Sequence, residues 1–327
     1  MRRIVWLFLV VLGVALAGGC TQPDSAGSAD SPVDTTWTEP PHDFSFAVLG
    51  DSRGSDNGVN SAILGEIVER VLQDGPDFVL FLGDAVTGSS DKSTFRSQLL
   101  HWRDVMQPLY DDGIPVYAVR GNHEDSDPGI WREVFSGPYA PPGNGPAGEE
   151  GLTYSFAFEN ALVVGLDVYA NPHHVNQTWF DAVLDANTLP HVFVFTHEPA
   201  FSVYHQDCLD DDVNARNRFW QSLEHAGARL YLTGHDHFFD ESRIDDGDGN
   251  PDNDLHQMIV GSAGAPIYSE SVPSGDNGPY KVVQVGHSST YGYMLVDVAG
   301  SKVTTVWMAR TGKGIYEPVS PFSYTVN

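Results

Sequence analysis

The sequence predicts an α/β (α+β) fold in which two mixed sheets pack together with helices on their flanks. Three observations carry this. Short apolar runs alternate with amphipathic segments in the first third of the chain, which implies parallel strands joined by right-handed crossovers. The second half holds more strands than helices. Polar residues cluster directly after the strand ends, the edge at which open α/β sheets place their sites. The chain has 327 residues, 41% of them hydrophobic, enough for a sizeable core.

In chain order, residues 44–49 (FSFAVL) read as a buried strand ending in Gly50-Asp51. Residues 59–73 place Val59, Ile63, Ile67, Val68 and Val71 on one helical face. A second strand, 78–82 (FVLFL), ends in Gly83-Asp84. A helix over 93–107 leads to a third strand, 116–119, which ends at Arg120-Gly121-Asn122-His123. Residues 152–158 and 161–167 form a hairpin across Glu159-Asn160. Helices over 177–187 and 213–225 enclose a strand, 192–196, that stops at His197. A strand over 229–233 stops at Gly234-His235, and three more are expected near 256–261, 291–298 and 302–309. The catalytic domain is expected to span 44–310, with 311–327 as a C-terminal tail.

Residues 1–19 read as a signal peptide: Arg2 and Arg3 are basic, and Ile4 to Ala17 form an apolar stretch too short to span a bilayer comfortably. Small residues then lead to Cys20. Two readings are open. One is an ordinary secretory signal with an incidental cysteine. The other is a bacterial lipoprotein signal, which the segment resembles, with Cys20 lipidated and the protein anchored to a membrane of the cell envelope, facing the periplasm or exterior. The second is favoured because the cysteine sits where cleavage is expected, although Ala17 stands where such signals prefer leucine. Residues 20–43 are rich in Pro, Ser, Asp and Gly and read as a flexible linker. With Cys20 lipidated, Cys208 has no intrachain disulfide partner.

The formal net charge of −27 excludes a nucleic-acid partner, because such a surface repels a phosphate backbone. It also slows anionic substrates unless the site holds local positive charge, which bound metal ions supply.

Five motifs each follow a predicted strand: Gly50-Asp51-Ser52-Arg53, Gly83-Asp84, Gly121-Asn122-His123-Glu124, Thr196-His197-Glu198-Pro199 and Gly234-His235-Asp236-His237. Singly each is weak, since Gly-Asp after a strand is usually a turn and a lone histidine is usually structural. As an ordered set at strand ends they offer oxygen and imidazole donors suited to Zn, Mn or Fe ions.

This order resembles the calcineurin-like metallophosphoesterases, a family that includes the purple acid phosphatases. The resemblance covers about residues 44–240 and implies a four-layer αββα sandwich. It implies two divalent or trivalent metal ions: Asp51 and His237 on the first, Asp84 bridging, and Asn122, His197 and His235 on the second. It makes His123 the catalytic residue beside the scissile bond, able to protonate the leaving alkoxide, with Asp127 or Glu124 as its orienting partner unless these are ordinary loop carboxylates. The implied reaction is hydrolysis of a small-molecule phosphate ester or phosphorylated substrate, monoesters before diesters, by a metal-activated water. The alternatives are a catalytically lapsed metal-binding surface lipoprotein and an interaction module on the same fold.

Two residues depart from the family pattern. Arg53 stands where many members have a first-metal histidine, and Thr87 where purple acid phosphatases have a tyrosine ligand. Water then completes the first ion's shell, or that ion is held weakly. Arg53 and Arg120 both adjoin ligand positions. Arg53 is the better candidate for a bidentate phosphate contact, the other reading being a salt bridge to a ligand carboxylate. Phe201, Tyr204, His205, Phe238 and Phe239 are rim or core aromatics. Residues 245–254 (DDGDGNPDND) alternate oxygen-bearing side chains, as a Ca²⁺ loop or as a solvated acidic turn.

Overall fold

In the computed structural model, residues 43–269 and 275–326 are described. Cys20 and the signal and linker segments lie outside the described residues, apart from Asp43. The first elements are β1 (Asp43–Leu49), β2 (Arg53–Asp56), α1 (Ser61–Asp74), β3 (Phe78–Phe81), α2 (Lys92–Asp111), β4 (Val116–Ala118) and α3 (Pro128–Val134). Then come β5 (Tyr154–Phe158), β6 (Ala161–Gly165), α4 (Gln177–Asp185), β7 (His191–Phe195), α5 (Val213–His225) and β8 (Leu230–Thr233). The chain closes with β9 (Phe239–Asp245), β10 (Leu255–Val260), β11 (Gly275–Asn277), β12 (Tyr280–Ser288), β13 (Gly292–Ala299), β14 (Lys302–Gly312) and β15 (Ile315–Thr325).

The strands form two mixed sheets, ordered β15-β14-β13-β1-β3-β4 and β11-β12-β9-β10-β8-β7-β6-β5. In the first, β1-β3-β4 is parallel and the β13–β15 side antiparallel. In the second, β6-β7-β8-β10 is parallel. Between the sheets lies an aromatic and aliphatic layer, with Phe46, Phe78, Leu80, Phe193, Phe195, Leu232 and Met294. Alternate residues of the same strands, such as Ala47, Leu49 and Phe81, turn outward beneath α1, α2 and α3. The far face of the second sheet lies under α4 and α5. Strands buried on both faces read as unbroken apolar runs, which is why β1 and β3 are so apolar.

Helix ends follow the caps. Asn60 Oδ1 accepts from Ile63 N and starts α1, and Gly75 closes it with φ 66°. Asp91 caps α2, which continues past the expected end at 107 through Pro108, giving up the helical hydrogen bond that residue 108 would otherwise donate to the Asp104 carbonyl. Two expectations change. Asp127 caps α3, accepting from Gly129 N and Ile130 N with Pro128 at the first helical position. Residues 311–327, expected as a tail, carry β15, an edge strand whose Pro318 and Pro321 its open side tolerates.

Candidate metal centre

The motif loops meet where the C-terminal ends of both sheets' parallel strands adjoin. Asp51 follows β1, Asp84 follows β3, and Asn122 and His123 follow β4. His197 comes from the end of β7, and His235 and His237 from the end of β8. Three of these residues have left-handed backbones, Asp51 (φ 61°), Asp84 (φ 51°) and His235 (φ 72°), a strain that persists only where the surroundings impose it. The glycines are steric necessities at two points: a Cβ on Gly121 would collide with Asp84 Oδ1, and one on Gly234 with Asp51 Oδ2. Glu124, fully buried, accepts the backbone N–H groups of Asp84, Val86 and Gly121, and so ties the β3 and β4 loops together.

The side chains converge. His197 Nε2 lies 3.1 Å from Asn122 Oδ1, 3.4 Å from Asp84 Oδ1 and 3.2 Å from His235 Nδ1. His197 Nδ1 donates to Leu82 O at 2.7 Å, which leaves Nε2 as a bare lone pair when the ring is neutral. Burial keeps it neutral, pushing the imidazole pKa down to about 3; burial likewise brings His235 to about 4 and His237 to about 3. Burial, joined by the charge of Asp84, raises Asp51, and burial also raises Asp84. Lone pairs facing lone pairs, and two buried carboxylates with Arg53 as the fixed positive charge beside them, are what a cation resolves; Asp51, Asp84 and His197 can reach one ion together. The donor set therefore fits a metal.

A family model for calcineurin-like phosphoesterases matches residues 44–239, more than half of the chain. The chain belongs to the calcineurin-like phosphoesterase family. It is accordingly a phosphoester hydrolase, and the family implies divalent metal ions. Among solved structures it is similar to the purple acid phosphatase PPD1 from yellow lupin (Lupinus luteus) seeds, with TM-score 0.65 and 14% identity over 88% of this chain and 55% of that one. It is also similar to a dimetal phosphatase from Danio rerio (TM-score 0.58, 15% identity, 87% and 99% covered). GAP50, the anchor in the inner membrane complex of Plasmodium, is a third (TM-score 0.59, 14% identity, 87% and 89% covered). At these identities the likeness is one of fold. No curated protein matches the sequence.

Beside this phosphoesterase centre, His123 donates from Nδ1 to Thr87 O at 2.6 Å and turns Nε2 toward Asp84 Oδ2, 3.7 Å away. Its orienting partner is thus the Thr87 carbonyl. Asp127 instead caps α3 and pairs with Lys92, and Glu124 is engaged with backbone. The Thr87 hydroxyl donates to Gly54 O and Gly58 O. Arg53 places Nη2 3.4 Å from His237 Nε2 and Nε 3.7 Å from Asp84 Oδ2, and a hollow of about 510 Å³ opens on its outer side. Arg120 is buried and bidentate on Asp167, at 2.7 and 3.0 Å, so it is structural.

Phe201, Phe238 and Phe239 are core, whereas Tyr204 and His205 lie at the rim. Asp236, inside the Gly-His-Asp-His motif, accepts from Tyr204 N, His205 N and His205 Nδ1 and fixes that rim loop. Tyr268 stacks on His237 at 4.4 Å; no motif around it signals this. In the 245–254 loop, Asp245, Asp246 and Asp254 approach one another, but Arg243 pairs with Asp254 and lies 3.8 Å from Asp245 Oδ2. Asp245, Asp246, Asp248 and Asn250 each accept a backbone N–H two residues on, a run of side-chain turns. Cys208 is buried and free.

Proposed function

We propose that this chain hydrolyses phosphate esters with a metal-activated water, monoesters in preference to diesters. The observation that carries the reading is the gathering of Asn122 Oδ1, Asp84 Oδ1 and His235 Nδ1 within 3.1–3.4 Å of His197 Nε2. His197, Asn122, Asp84 and His235 would hold a cation, and Asp51, Asp84 Oδ2 and His237 face the place where the resemblance implies a second positive charge. A cation there supplies a nucleophile from water near neutral pH and neutralises phosphate charge.

The protein's own groups do the rest. Arg53, its side chain 25% exposed, offers a planar fork to phosphate oxygens. A monoester keeps terminal oxygens for both the cation and that fork, which is why it is favoured. His123, protonated on Nε2 and held through Nδ1, gives that proton to the leaving oxygen. Attack then needs mainly positioning and charge stabilisation.

The test is hydrolysis of p-nitrophenyl phosphate and bis(p-nitrophenyl) phosphate before and after chelation. Activity is expected to vanish on chelation and return with Mn²⁺, the monoester reacting faster. Full activity in demetallated protein overturns the metal role, and no hydrolysis with any metal favours a lapsed site.

We further propose that Cys20 is lipidated and anchors the protein to a membrane. The sequence of residues 1–20 supports this, and among the described residues no helix is long and apolar enough to cross a membrane. Radiolabelled palmitate is expected to label the protein but not Cys20→Ser, and that variant is expected to leave the membrane fraction. Equal membrane retention of the two overturns the anchor.

A further inference from the structure

We propose that the Arg53 guanidinium takes the place of one of the two cations, so that this centre binds a single metal ion. The inference rests on the metal-dependent reading above and specifies its stoichiometry.

The two cation positions are unequally furnished. One has His197 Nε2 with three further donors gathered 3.1–3.4 Å from it, Asn122 Oδ1, Asp84 Oδ1 and His235 Nδ1. The other, among the described residues, is faced by Asp51 Oδ1, Asp84 Oδ2 and His237 Nε2, the first and last 3.7 Å apart. An imidazole nitrogen has one lone pair. His237 Nδ1 donates to Pro266 O at 2.9 Å, so the ring's single free lone pair is on Nε2, and Arg53 Nη2 faces it at 3.4 Å. An ion and an N–H donor cannot both use that pair.

The second acceptor is claimed in the same way. Arg53 Nε is buried, has no hydrogen-bond partner, and lies 3.7 Å from Asp84 Oδ2. A guanidinium has five donors, accepts nothing and stays charged, so its interior edge belongs among acceptors. The Arg53 backbone is also held there. Arg53 opens β2 two residues after Asp51 and bridges to Val59, while Asn60 N donates to Ser52 O at 2.8 Å and Ser52 Oγ to Ala85 O at 2.8 Å. This short turn fixes where the Arg53 backbone sits, next to Asp51.

Charge points the same way. One divalent ion and one guanidinium already exceed the two buried carboxylates, and a second ion would sit against both cations. The guanidinium supplies the missing positive charge and, unlike an ion, brings its own hydrogen-bond donors for a phosphate at its exposed edge.

The test is Mn²⁺ stoichiometry of chelator-stripped protein by calorimetry, with electron paramagnetic resonance to separate isolated from exchange-coupled ions and melting curves to verify folding. The wild type is expected to bind one equivalent with an uncoupled spectrum, and Arg53→Lys, which keeps the charge, also one. Arg53→His, which exchanges the cation for a ligand, is expected to bind two with a coupled spectrum. Two equivalents in the wild type, or one in folded Arg53→His, overturns the assignment of Arg53 while leaving the metal-dependent reading intact. No binding by the wild type overturns that reading and this inference with it.

Discussion

His123 and Arg53 differ from their neighbours in accessibility: their side chains are 26% and 25% exposed, whereas those of Asp84, His197 and His237 are 3% or less. The sealed residues have fixed geometry, and the two reachable ones can touch a substrate. For His123→Ala, kcat is expected to fall by about 10²–10⁴ with metal content retained, the usual worth of a positioned proton donor. The loss should shrink for esters with good leaving groups, which need no proton. A uniform loss across a leaving-group series, or a parallel loss of metal, would remove His123 from that role. The ligand-type residues were legible because each follows a strand and, His197 excepted, a glycine in the same motif. Glu124 was not, because a carboxylate bound only to backbone N–H groups has the same sequence appearance as one in solvent. Tyr268 was silent for a related reason: stacking on His237 is a tertiary contact with no local pattern.

At the scale of elements, the centre depends on strands from different sheets ending together. Arg120, just after β4, and Asp167, just after β6, join the two sheets through a buried bidentate pair, and Asp167 Oδ1 also accepts from Tyr169 N and Ala170 N. Arg120→Ala leaves a buried carboxylate without its counter-charge and is expected to cost about 3–5 kcal/mol of stability. Denaturant titration checks it; a loss under about 1 kcal/mol, the worth of an exposed pair, would contradict the structural role. The apolar strands β1, β3, β7 and β8 were readable because burial on both faces leaves an unbroken run. β9 was not. Its buried Asp240 and Glu241 are served by Gln284, His287 and His256, partners distant in sequence, and buried Ser242 donates to Asp240, so a charged stretch conceals a central strand. β15 was concealed by its prolines, which only an edge position allows.

For the whole molecule the dominant quantity is the net charge of −27. A phosphate ester must approach through a repulsive field to reach a small cationic centre. Raising ionic strength from about 0.01 to 0.15 M shortens the Debye length from about 30 to 8 Å. For dianionic monoesters kcat/KM is therefore expected to rise over that range, and less for monoanionic diesters. Steady-state kinetics in an inert salt checks this, and a fall for both would mean that local attraction at the site governs encounter instead.

The centre also straddles a seam: Asp51, Asp84 and Asn122 come from one sheet, His197, His235 and His237 from the other. An ion held by residues of both sheets would work as a clasp across the two halves of the sandwich. Ion binding to the folded form alone raises stability with the logarithm of free ion concentration. Metal scarcity would then do more than silence the enzyme; it would loosen the joint between the layers and shorten the lifetime of the protein itself.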